Sequence, residues 1–167
     1  WLFVRGAGTQ QNLDTVAPEN ATPDAVRLML PPPDAAQIGL DLKPEIVRLT
    51  GVELKAFAAK FAQEAKLDSP EGLDGGAPLR VRRVESAKTL VRVAAPGEQP
   101  TPSATARSKS GQAVELRLMT DPTATRVGAD LALRFHVDGT PQEGATIRAA
   151  PAGGGPVVTT ISDASGF

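Results

Sequence analysis

The chain has no cysteine and no tyrosine, and only one tryptophan and one histidine among its 167 residues. Without cysteine there is no thiol catalysis, no disulfide and no thiolate metal site. The compartment is not fixed by this. Aromatic residues make up 4%, which argues against a stacking platform for bases or sugars. An excess of charge of one sign is also missing. A net charge of -1 and an isoelectric point near 5.9 give no electrostatic case for nucleic acid. No apolar run approaches the ~20 residues that span a bilayer. The residues in hand carry no secretory leader pattern, and the sequence opens on Trp1 rather than Met.

What is abundant is glycine (16) and proline (15), which favours turn-rich β structure over helical bundles. The last third shows the pattern most plainly. Leu131, Leu133, Phe135 and Val137 alternate with Ala132, Arg134, His136 and Asp138, a period of two that marks a half-buried strand. The alternation assigns the first set to the core and turns His136 outward beside Arg134. Asp138-Gly139 is a turn signal, extended by Pro141 and Gly144. Strands follow from Ala145 to Ala149 and from Val157 to Ile161, divided by Gly153-Gly154-Gly155-Pro156. Asp163-Ala164-Ser165-Gly166 turns into Phe167. About four strands can be counted from Ala113 onward, against about seven in an immunoglobulin-like sandwich. The sandwich is therefore expected to be truncated here, with further strands after Phe167 covering Leu133, Phe135 and Ile147.

Upstream, residues 1–50 read as short strands: Trp1 to Val4, Val26 to Leu30 before Pro31-Pro32-Pro33, and Ile46 to Leu49. Thr50 with Glu53 has capping-box spacing. Leu54, Phe57, Ala58, Phe61, Ala62 and Ala65 then draw one apolar stripe. The helix is expected near 53–67, ending before Pro70 and Gly72, with Phe57 and Phe61 buried against a sheet. Val81 and Val84 extend a helical pattern, while Leu90 to Val93 reads as a strand. Pro96 to Ser103 is proline-rich. It predicts an exposed loop or linker over 96–112, dividing an N-terminal β domain (1–95) from a C-terminal one (113–167).

Three blocks in order resemble a bacterial domain-of-unknown-function family, number 4198, once labelled a periplasmic component of cobalt or nickel transport. They are the helix Phe57 to Ala65 closing at Lys66-Leu67-Asp68, the stretch Arg83-Val84-Glu85-Ser86-Ala87-Lys88-Thr89-Leu90-Val91, and the punctuated strands from Leu116-Arg117-Leu118 to Phe167. The third block is shared with transthyretin-like and carboxypeptidase-regulatory-like sandwiches. The resemblance implies a mainly β, exported protein, periplasmic or secreted: an N-terminal β domain with an amphipathic helical insertion, then an immunoglobulin-like sandwich. A transporter or outer-membrane receptor is the partner class that location implies. Family members often carry a histidine near the mature N-terminus, and this sequence has none there.

No set of residues forms a catalytic constellation. His136 as a metal ligand would need several nitrogen, sulfur or carboxylate partners, so no cofactor is expected; nickel or cobalt would need ligands from a longer chain. Asp121, Asp130, Asp138 and Asp163 suggest calcium, but all border turns, where aspartate bonds backbone N–H groups. Gly6-Ala7-Gly8 lacks the third glycine and following helix of a phosphate loop. Ser108 and Ser110 lie outside any Gly-x-Ser-x-Gly motif. Arg80, Arg82, Arg83 and Lys88 form the densest basic cluster. It reads either as an anion or partner patch or as a solvated face neutralised by Glu71, Asp74 and Glu85. The expected function is a non-enzymatic exported binding or structural module. The alternative is a periplasmic accessory of nickel or cobalt uptake.

Overall fold

A computed structural model describes residues 2–6, 9–12, 21–22, 25–26, 35–60, 73, 76–92, 94, 97–99 and 101–167. The protein is mainly β, built of antiparallel sheets with few helices. The strands are β1 (Leu2–Gly6), β2 (Thr9–Asn12), β3 (Ala21–Thr22), β4 (Ala25–Val26), β5 (Ala35–Asp41), β6 (Glu45–Leu49), β7 (Leu79–Arg83) and β8 (Ser86–Arg92), then β9 (Val114–Leu118), β10 (Leu133–Val137), β11 (Thr140–Pro141), β12 (Thr146–Ala149) and β13 (Val158–Ile161). The helices are α1 (Gly51–Lys60) and the single turn α2 (Ala104–Arg107).

The largest sheet has the order β2-β1-β5-β8 and holds the buried core. Phe3, Val4, Ala35 and Ala36 are buried in it. Phe3 lies opposite Gly39, and a Cβ at Gly39 would overlap the Phe3 ring, so glycine is what lets the aromatic lie flat across β5. A second sheet has the order β11-β10-β9. Its hairpin closes through Asp138 (φ 48°) and Gly139 (φ 78°). These are the two left-handed positions of a type I′ turn, as the Asp-Gly pair predicts. The remaining strands form the pairs β12–β13, β6–β7 and β3–β4.

The capping box is present. The Thr50 N–H donates to Glu53 Oε2 at 2.7 Å and the Glu53 N–H donates to Thr50 Oγ1 at 3.2 Å. The Thr50 N–H and the Thr50 hydroxyl, both donating to Glu53 Oε2, hold that carboxyl below its usual range. At the helix start Gly51 packs so closely on the Leu73 carbonyl that a Cβ would collide with it.

Several expectations are corrected. Residues 79–83 are a strand: Leu79, Val81 and Arg83 pair with Leu49, Val47 and Glu45 on β6, so valine spacing in this segment reports alternation. Phe57 is 59% exposed; Ala58 is the apolar residue buried on the described part of α1. Phe61 and the expected helix over 61–67 lie outside the described residues, as does the strand reading of 27–30. Within the expected loop, residues 97–99 and 101–102 are exposed, but 103–112 is packed. Ser103, Thr105, Ala106, Ser110 and Gln112 are all buried. The physical reason is hydrogen bonding: the buried Gln37 on β5 donates through Nε2 to the carbonyls of Thr105 (2.7 Å), Ala106 (3.2 Å) and Ser108 (3.0 Å). The polar backbone that proline and serine leave unpaired is satisfied from the neighbouring sheet.

Candidate functional site

The site lies where the end of β5 meets β9 and β10. In register His136 stands opposite Glu115, and Arg134 opposite Arg117. Glu115 is 4% and His136 3% exposed, so this polar face of the hairpin is the covered one. The outward orientation expected for His136 is thereby corrected. Alternation assigns the apolar set to the core, yet Leu116 on the opposite face is 37% exposed and Leu133, Phe135, Val137 and Ile147 are only half-buried. Polar groups can occupy a covered face when they are bonded there, and Glu115 is. It accepts from the backbone N–H of Ser110 (2.8 Å) and Gly111 (3.3 Å) and pairs with the Lys88 ammonium at 2.9 Å. Burial pushes its carboxyl up, but the Ser110 N–H and the Lys88 cation outweigh this and hold it below the usual range.

Gln112 ties the same corner to the large sheet. Its Nε2 donates to the carbonyls of Leu40 (3.1 Å) and Ala87 (2.9 Å) and to Asp41 Oδ1 (3.3 Å), and its Oε1 accepts from Ser110 Oγ (3.1 Å). Beside this network opens a cleft of about 480 Å³, lined by Asp41, Lys109, Gln112, Glu115, His136 and Asp138 among others. His136 contributes a buried Nδ1 with no hydrogen-bond partner. Burial and the nearby Lys109 cation lower its pKa from the ordinary value, while the Arg134 carbonyl and the Glu115 carboxylate act the other way. The imidazole is therefore neutral at neutral pH, with one ring nitrogen able to donate and one to accept. A buried ring nitrogen without a hydrogen-bond partner, on a residue that lines a polar cleft, marks a candidate hydrogen-bonding position.

The basic cluster is split. Lys88 is half-buried in its pair with the buried Glu115. Arg83 pairs with Glu85, which also accepts from its Nε at 2.5 Å. Arg80 and Arg82 remain together on one exposed face of β7, where Arg48 of β6 stands directly opposite Arg80. Arg48 is not legible from linear spacing; only the β6–β7 register brings it in. Glu71 and Asp74 lie outside the described residues.

Asp121 and Asp163 bond the backbone of turns, and Asp138 sits in the hairpin turn. Asp121 accepts from the N–H groups of Ser103 (2.7 Å) and Thr123 (2.9 Å) and lies 3.8 Å from the Arg92 guanidinium. Asp163 Oδ1 accepts from the N–H groups of Ser165 (2.8 Å) and Phe167 (3.0 Å), and the Arg134 guanidinium lies over the Phe167 ring at 4.2 Å. Ser108 and Ser110 are tied to backbone and network partners. Among the described residues no group of three His, Asp or Glu side chains converges as a metal site, and no helix is long and apolar enough to cross a membrane. Comparison of the chain with protein-family models, curated proteins and solved structures finds no match.

Proposed function

We propose that the protein is a non-enzymatic binding module, exported, with its ligand seat in the cleft at His136. The observation that carries the reading is the buried imidazole of His136, a residue that lines that cleft and whose Nδ1 has no hydrogen-bond partner. The volume of about 480 Å³ falls in the range that small-molecule sites occupy. The lining offers a hydrogen-bonding nitrogen, the Lys109 cation and the Asp41 and Asp138 carboxylates, which suits a small polar molecule carrying both donors and acceptors. Export rests on the sequence resemblance, as does reading β9 to β13 as part of an immunoglobulin-like sandwich. The alternative, an accessory of nickel or cobalt uptake, draws on the same resemblance; His136 would bring it one nitrogen.

The test uses the single histidine as its reporter. Imidazole nitrogen NMR shifts of the whole chain are followed against a panel of small amino alcohols, polyols and amino acids. A ligand of this seat shifts the His136 nitrogens saturably, and His136→Gln abolishes its binding by calorimetry. If every ligand that binds leaves the His136 nitrogens unmoved, the seat is elsewhere.

A further inference from the structure

We propose that the exposed face of the β6–β7 ribbon is a docking surface for an anionic lipid bilayer, held through phosphate headgroups by Arg48, Arg80 and Arg82. The proposal stands apart from the His136 cleft. In the register Arg48 lies opposite Arg80 and Ile46 opposite Arg82, so these four side chains share one face. All four are exposed, Ile46 by 52%. The other face carries Leu49, Leu79, Val47 and Val81, all half-buried, which fixes the direction in which the arginines point.

Like charges directly opposite each other destabilise a β pair. Here two arginines stand opposite, with a third two residues along, and among the described residues none of the three has a carboxylate partner. The arrangement is locally unfavourable in a protein whose net charge is -1. An anionic partner relieves it, and the guanidinium fork matches phosphate oxygens bidentately. Ile46 selects the kind of anion. An exposed aliphatic side chain within a basic face suits the boundary between headgroups and acyl chains. Single-stranded nucleic acid calls for aromatic stacking partners, and this face has none.

The experiment is co-sedimentation of the whole chain with vesicles of phosphatidylcholine alone or of an equal mixture with phosphatidylglycerol, at low and high salt. Binding to the anionic vesicles alone, released by high salt, is the expected result. Each arginine near an anionic surface contributes about fivefold to partitioning. The triple variant Arg48→Gln/Arg80→Gln/Arg82→Gln should therefore lose on the order of a hundredfold. It should melt no lower than the parent, because repulsion has been removed. Arg83→Gln, on the other face and paired with Glu85, should bind as the parent does. Equal binding to both vesicle types, undiminished binding by a folded triple variant, or salt-sensitive binding to a single-stranded oligonucleotide without binding to vesicles would each overturn the proposal. If the triple variant fails to fold, Ile46→Ser decides: weaker vesicle binding at unchanged salt dependence supports the proposal, and unchanged binding overturns it.

Discussion

Glu115 and His136 face each other across β9 and β10, and each makes the chain less stable as pH falls, in its own pH window. Glu115, depressed below its ordinary value of 4.5 in the folded chain, contributes stability that is present above that value and lost as pH falls through the folded value. Glu115→Gln should flatten this acid limb in denaturation midpoints measured across pH. Lys88→Met leaves the carboxylate buried without its cation and should cost about 3–5 kcal/mol in urea unfolding at neutral pH. His136 is depressed below 6.5 by burial and by Lys109. The unfolded chain then takes up a proton that the folded chain refuses, so stability falls as pH drops below 6.5 toward the folded value. Facing the imidazole are Lys109, Arg134 and Glu115. His136→Gln should remove this component, read as a smaller stability difference between about pH 7 and about pH 5.

Local signals were the most legible ones at the scale of elements. Asp138-Gly139 specifies a type I′ turn because both residues accept positive φ, and the hairpin closes there. Gly139→Ala should cost about 1–2 kcal/mol by equilibrium unfolding. Thr50 and Glu53 announce the start of α1, and Thr50→Ala should cost about 1 kcal/mol. The apolar stripe was less informative. Spacing gives the face of a helix but not what lies against it, and Phe57 stands mostly in solvent. Phe57→Ala should therefore cost about 1 kcal/mol or less, against the about 3–5 kcal/mol of a buried phenylalanine. The 79–83 strand was obscured because its alternate arginines suppress the apolar pattern, which only the partner strand β6 completes.

Across the whole molecule, the join between the large sheet and the β9–β11 sheet is polar, which is why it could not be read from hydrophobic periodicity. Gln37, Gln112, Lys88 and Glu115 are separated widely in sequence, and their bonds make the segment from Ser103 to Glu115 a polar seam. Gln112→Leu would remove the bonds its side chain makes to the Leu40 and Ala87 carbonyls, at about 0.5–1.5 kcal/mol each. It should lower the thermal midpoint of the whole chain while leaving the β6–β7 face able to bind. The candidate site was legible only as residue types: the single histidine stood out, but alternation pointed it to solvent. Burial followed from the hydrogen-bonded carboxylate opposite it and the loop packed beside it. The most direct test is a titration of the His136 imidazole by NMR in the full chain. The expected result is a pKa below the ordinary 6.5 and ring-nitrogen shifts that move on addition of a ligand of the cleft. A pKa at or above 6.5 with the shifts of a freely solvated imidazole would contradict it.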